Sequence, residues 1–225
     1  MAWCQALNSV QCLALNAVRP DHGRWLRVCH ARLVARPRRL IEPHSVLHVV
    51  NRGNERRRLF ASGDDYMSFL GLLRRSQRRH GMRILAYVLL PNHWHLVLWP
   101  ESSSDLWQFM HCLTGAHAAR FRHDSNTIGL GHVYQGRYYS ALVHTDARYV
   151  ATIRYVEANP VRARLVANAE DWVWSSLVER LGERDVIVDG PLALPEPEHW
   201  LAMVNAARGS TATDNTSIAQ PETGS

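Results

Sequence analysis

Between residues 45 and 157 the apolar side chains switch repeatedly between a period of two and a period near 3.6. That order of switching dictates which elements can pack together. Ser45–Arg52 (SVLHVVNR) is short and β-branched and reads as a strand, closed by Gly53-Asn54. Asp64 is a suitable N-cap for a helix from Asp65 to about His80, along which Met67, Leu70 and Leu73 recur at helical spacing before Gly81. Met82–Leu90 forms a second strand, Pro91-Asn92 interrupts the run, and His93–Trp99 (HWHLVLW) alternates as a third. Asp105 can cap a second helix, Leu106 to about His123. A Gly-rich loop, Gly129–Gly131, then precedes a fourth strand, Val133–Val143. Asp146 caps a third helix that Pro160 ends, and Trp172–Leu181 reads as one more helix. The sequence of elements, β-α-β-β-α-β and then helices, predicts an α+β fold. It is the ferredoxin-like split βαβ arrangement, an antiparallel sheet with helices on one face, plus C-terminal helices. The other face of the sheet is then open to a ligand.

The pattern bounds one domain, residues 36–181. Residues 1–35 show no sustained period and read as an appendage, disordered or the product of a start placed too far upstream. Residues 182–208 are a C-terminal extension. The tail 209–225 is rich in Ser, Thr and Gly, with almost no bulky apolar residue, and is expected to be disordered. No stretch approaches the roughly 20 apolar residues of a membrane span. Cys4, Cys12, Cys29 and Cys112 form no CxxC pair and no zinc spacing. The expectation is a reduced, cytoplasmic and nucleoid-associated protein.

Charge narrows the partner. All 26 basic residues are arginine, and the formal charge is +6. Residues 1–165 carry +13 and residues 166–225 carry −7. Coding bias explains Arg in place of Lys but not this asymmetry, and a body so basic points to a polyanion. Arg52, Arg56, Arg57 and Arg58 follow the first strand, Arg74, Arg75, Arg78 and Arg79 line a helix, and Arg120, Arg122 and Arg137 add to the field. The helical group reads equally well as a solvated face. Tyr134, Tyr138 and Tyr139 are candidates to stack on unpaired bases. The acidic C-terminal part is a candidate self-competitor for the basic surface.

His93 and His95 carry the sharpest chemical signal. Residues i and i+2 of a strand share a face, so the two imidazoles project together while Trp94, Leu96 and Leu98 point into the core. Such a pair suits a divalent metal; taken alone it is also what two half-exposed strand histidines bonded to backbone or water look like. On the helix after Asp146, Tyr155, Thr152 and Asn159 share a face. Tyr149 lies about 120° from Tyr155 around the helix and cannot play the same part. A helical tyrosine is otherwise a residue at the edge of a core, and Asn159-Pro160 a helix stop.

Five segments in order carry a family likeness. They are Asn51-Arg52-Gly53-Asn54, Leu90-Pro91-Asn92-His93-Trp94-His95-Leu96-Val97 and Gly131-His132-Val133-Tyr134-Gln135-Gly136-Arg137-Tyr138, followed by Tyr155-Val156-Glu157-Ala158-Asn159-Pro160-Val161-Arg162-Ala163 and Trp172-Val173-Trp174-Ser175-Ser176. Over residues 36–180 the chain resembles the HUH single-tyrosine transposases, most closely the REP-associated tyrosine transposases. The resemblance implies that Tyr155 is the nucleophile and that His93, His95 and Asn159 hold Mg²⁺ or Mn²⁺. It implies a single-stranded DNA partner containing a hairpin from a repetitive extragenic palindrome, cut and rejoined by a monomer or homodimer. Arg52, Arg56, Arg57, Arg58 and Arg137 would contact phosphates. A phenol, with a pKa of about 10, needs a nearby cation or base to attack at neutral pH. An imidazole and amide set holds Mg²⁺ weakly, so Mn²⁺ should serve at least as well. The alternative is a hairpin-binding protein on the same fold that does not cleave.

Overall fold

The computed structural model describes residues 45–129, 131–182, 187–189 and 194–209. The appendage 1–35 and the tail beyond residue 209 lie outside the described residues. The alternating segments form four strands, β1 (Val46–Arg52), β2 (Arg83–Leu90), β3 (His93–Trp99) and β4 (Tyr139–Val143), in one sheet of order β2-β3-β1-β4. All neighbours pair antiparallel. Helix α1 (Gly63–His80) connects β1 to β2 and helix α2 (Ser103–Asp124) connects β3 to β4. This is the predicted α+β, split βαβ order.

Both helices start earlier than Asp64 and Asp105 suggested. Ser62 and Ser102 are the N-caps, and Asp65 and Asp105 stand three residues on in capping boxes. Each Asp carboxylate accepts from the serine backbone N–H, at 2.8 Å and 2.9 Å, while the serine hydroxyl accepts from the aspartate N–H. The fourth strand is shorter than expected. Val133–Tyr138 runs past the end of β1 and is pinned there by Asn54 N–H to Val133 O (2.8 Å) and Gln135 N–H to Arg52 O (2.9 Å). At the turn between, a Cβ on Gly53 would collide with the carbonyl oxygen of Arg57.

Trp94, Leu96 and Leu98 pack with Phe69, Leu73, Phe109 and Leu113 of α1 and α2 in one core. The opposite face, expected to be open, is covered. Helix α3 (Asp146–Glu157), capped by Thr145, lays Tyr149, Ile153 and Val156 against Val88, Leu90 and Val97. Pro160 does not stop the chain there. It sits in the first turn of a short helix, α4 (Asn159–Arg162), where its missing N–H costs nothing. Of Trp172–Leu181 only α5 (Ser176–Arg180) is helical. The residues before it run along the β2 edge, with Leu89 N–H bonded to Trp174 O at 2.9 Å and Trp172 Nε1–H to Leu89 O at 2.9 Å. Helix α6 (Pro197–Asn205) adds Trp200 and Val204 to the second core.

One buried carboxylate ties these later elements together. Glu157 is fully buried and accepts from Ser176 Oγ (2.6 Å), Arg180 Nε (2.7 Å) and Trp200 Nε1 (2.7 Å). The Arg180 guanidinium also donates to the carbonyl of Leu85. Leu85 is the extra residue of a β-bulge, since Ile84 pairs with Leu98 and Ala86 with Val97. Glu157→Ala would leave the Arg180 charge buried without its partner. It is expected to lower the free energy of unfolding by about 3–5 kcal/mol, read from urea titration; a loss below about 1 kcal/mol would match an exposed pair instead.

Candidate active site

The site lies on the α3 face of the sheet. His93 and His95 project to it together, with ring centroids 5.1 Å apart. His95 is buried and His93 half-buried. Helix α3 brings Tyr155 over the pair, its ring 5.9 Å from that of His95 in an edge-on arrangement. The Tyr155 side chain is half-buried, unlike Tyr149, whose ring is in the core. Asn159 follows one turn later, and its amide Nδ2–H donates to the Tyr155 carbonyl at 3.4 Å. The structure therefore collects His93, His95 and Tyr155, with Asn159 beside the tyrosine's own backbone.

Two groups near the site had no signal in the sequence pattern. His48 of β1 is buried, and its Nε2 lies 2.9 Å from His95 Nδ1. Within SVLHVVNR it looks like any strand residue. Only the antiparallel register, which sets His48 opposite Val97 and Val50 opposite His95, puts it diagonal to His95 on the same face. Arg162 holds its guanidinium 5.3 Å from the centre of the Tyr155 ring, a cation–π contact.

Burial disfavours the charged imidazolium at each histidine. It pushes His48 down to about 4. Burial, with the Arg52 charge added, brings His93 to about 4. His95 is held well below its ordinary value by burial and then by His48, His93 and Arg52. Neutral imidazoles are the form that can ligate a metal. The hydrogen bonding agrees with that use. His93 Nδ1 is engaged with Asn92 Oδ1 at 2.7 Å, and His95 Nδ1 with His48. His95 Nε2 is buried with no protein partner. Among the described residues no cluster of three or more His, Cys, Asp and Glu could hold a metal.

The arginines gather at the same end of the sheet. Arg52 is exposed and pairs across the ladder with His93. Arg56 and Arg58 are exposed in the next turn, Arg57 is half-buried, and Arg137 is exposed on the segment pinned to that turn. The candidate stacking residues do not all survive. Tyr134 and Tyr138 are buried, and Tyr134 Oη is bonded to His117 Nδ1 (2.6 Å) and Trp94 Nε1 (3.2 Å), which leaves Tyr139 as the exposed one. Two of the C-terminal acids, Glu179 and Asp189, are structural. Glu179 accepts from Tyr87 Oη, Ile187 N–H and Val188 N–H, and Asp189 accepts from Ile84 N–H. These two carboxylates brace the fold.

The folded chain resists protonating His48, His93 and His95, whereas the unfolded chain takes up protons below about 6.5. Stability of the metal-free protein is therefore expected to be level above pH 7 and to fall as pH drops from about 6.5 toward about 4. Urea unfolding at a series of pH values reads this directly, and a level profile down to pH 5 would contradict it.

Comparison with known proteins places the chain. The family model described as "Transposase IS200 like" matches residues 43–159, more than half of the sequence. A solved REP-associated tyrosine transposase bound to a REP hairpin superposes with a TM-score of 0.51 at 20% identity, covering 70% of this chain and 98% of that one. A Deinococcus radiodurans chain described as a candidate transposase reaches a TM-score of 0.38 at 18% identity over 46% of this chain and 82% of that one. No curated protein matches significantly.

Proposed function

Because the chain belongs to the IS200-like transposase family, we propose that it cuts and rejoins single-stranded, hairpin-containing DNA through a covalent phosphotyrosine on Tyr155. Family membership itself assigns a transposase-type role in DNA processing; the nucleophile, the metal and the hairpin substrate are our reading. The observation that carries it is the pairing of a half-exposed Tyr155 with a buried His95 whose Nε2 has no protein partner, 5.9 Å apart between ring centres. A hairpin substrate is supported by the solved relative's bound REP hairpin, by Arg52 opposite His93, and by Arg56, Arg57, Arg58 and Arg137 on the turn and the segment pinned to it.

In this reading His93, His95 and Asn159 hold Mg²⁺ or Mn²⁺, which when bound polarises the scissile phosphate and offsets charge on its oxygens. Arg52, opposite His93, and Arg56, Arg57, Arg58 and Arg137 neutralise flanking phosphates and seat the strand. Arg162 and the packing of α3 hold the phenol in line. The Tyr155 oxygen loses its proton and forms a bond to phosphorus. The bond from phosphorus to the 3′-oxygen breaks, and that oxygen leaves as a 3′-hydroxyl. The 5′-phosphate remains on the tyrosine. A 3′-hydroxyl can reverse the step, so rejoining needs no nucleotide cofactor.

Incubation with labelled hairpin DNA and Mn²⁺, followed by denaturing electrophoresis, tests the reading. Wild type is expected to give a metal-dependent protein–DNA adduct, and Tyr155→Phe none. Tight binding without an adduct from wild type would favour a non-cleaving hairpin-binding protein, and an adduct from Tyr155→Phe would move the nucleophile elsewhere. Phosphate contact has its own signature. Arg52→Gln is expected to flatten the slope of log affinity against log salt by about 0.7, measured by fluorescence anisotropy; an unchanged slope would remove Arg52 from the interface.

A further inference from the structure

The β1 histidine has no place in the chemistry described so far, yet it touches the residue at the centre of it. Resting on the metal-site reading above, we propose that His48 is a positioning residue that fixes the tautomer and ring orientation of His95, so that His95 presents the Nε2 lone pair to the metal.

The geometry of the two rings carries this. Their planes are 15° apart and their centroids 5.2 Å apart, with Nε2 of His48 2.9 Å from Nδ1 of His95. Rings stacked face to face would have closer centroids. Here the centroid distance is about the nitrogen–nitrogen contact plus the two ring radii, which means two nearly coplanar rings joined end to end by a hydrogen bond. One proton must lie between those nitrogens, and its owner decides what His95 offers at its far side. If His48 donated, neutral His95 would carry its own proton on Nε2, a buried N–H with no acceptor. If His95 Nδ1–H donates, Nε2 is a bare lone pair instead. A buried N–H without a partner is the rarer and costlier of the two, so the second arrangement is the one this site favours.

That is the relation by which an outer residue commonly orients a metal-bound histidine, with a neutral imidazole where a carboxylate or carbonyl often stands. His48 is not itself a ligand in this arrangement, because its Nε2 is spent on His95. Among the described residues no trio of His, Cys, Asp and Glu forms a metal cluster. The pair also bears on the nucleophile. Tyr155 stands edge-on to both rings, at 5.9 Å and 74° from His48 and at 5.9 Å and 75° from His95. The joined imidazoles thus make one flat surface against which the tyrosine is set.

The test uses the full chain, without DNA, and two readouts. Long-range ¹H–¹⁵N spectra of the metal-free protein report the protonated nitrogen of His95. Calorimetric titration with Mn²⁺ alone reports the affinity. Wild type is expected to show His95 protonated at Nδ1. His48→Gln, whose side-chain oxygen reaches about where Nε2 was, should keep that tautomer and bind Mn²⁺ within about threefold of wild type. His48→Leu should move the proton to Nε2 and weaken Mn²⁺ about 10- to 100-fold. If His48→Leu does not fold, His48→Asn takes its place, because its amide is too short to reach His95. Unchanged tautomer and affinity in the Leu or Asn variant would overturn the proposal alone. A wild type that binds no Mn²⁺ would overturn the metal reading and this proposal with it.

Discussion

The buried carboxylate of Glu157 is the interaction on which the rest of the site depends. It stands two residues after Tyr155 and is fully buried, so its charge must be compensated inside the protein. Compensation comes from α5 through Ser176 and Arg180 and from α6 through Trp200. Arg180 in turn reaches the carbonyl that the β2 bulge leaves out of the ladder. The end of the helix carrying Tyr155 is therefore bonded to two later helices and, through Arg180, to the sheet. A helix attached only by its apolar stripe can slide or roll by a fraction of a turn at little cost. One whose last turn holds a buried ion pair cannot do so without stranding a charge. Residues far along the chain thus help place the tyrosine.

Much of this was legible before any coordinates. The period of two through His93–Trp99 is enough to put both imidazoles on one face, and the helical period is enough to separate Tyr155 from Tyr149. These are local facts, fixed by backbone geometry within one element. What was not legible is pairing between elements. Tyr149, Ile153 and Val156 recur at helical spacing, but nothing local says that this stripe docks on the sheet face expected to stay open. His48 became a neighbour of His95 only through the β1–β3 register. The caps were misplaced for a smaller reason. Ser and Asp are both good N-caps, and Ser102 and Asp105 belong to one reciprocal box while Asp64 lies inside the box formed by Ser62 and Asp65, so residue type alone does not say which of them caps.

The two faces of the sheet also divide the work. Trp94, Leu96 and Leu98 face the large aromatic core under α1 and α2. That core holds its few polar groups in closed pairs, such as Tyr134 with His117 and Trp94. The other face combines packing with polarity, because Val97 and Val88 lie beside His48, His93 and His95. Keeping those imidazoles neutral follows from that setting. Lost hydration disfavours a charged imidazolium at each, and repulsion from Arg52 adds to it at His93 and His95. The same burial lowers their affinity for protons, and in the proposed reading it leaves a lone pair each on His93 and His95 for a metal ion.

In the proposed reading the strand register also couples binding to cutting. Arg52 pairs with His93 across the ladder, and the turn that follows presents Arg56, Arg57 and Arg58. Glu55 and Arg56 in that turn have φ of 53° and 59°. Left-handed backbone at a residue other than glycine costs roughly 1–2 kcal/mol and persists where surrounding contacts over-determine it. Here the contacts are the bonds that pin residues 133–135 to residues 52–54. A slip of one residue between β1 and β3 would turn Arg52 and His48 to the wrong face together. The cations that would seat a strand and the histidine that orients His95 are therefore placed by one pairing, and neither can be displaced without the other.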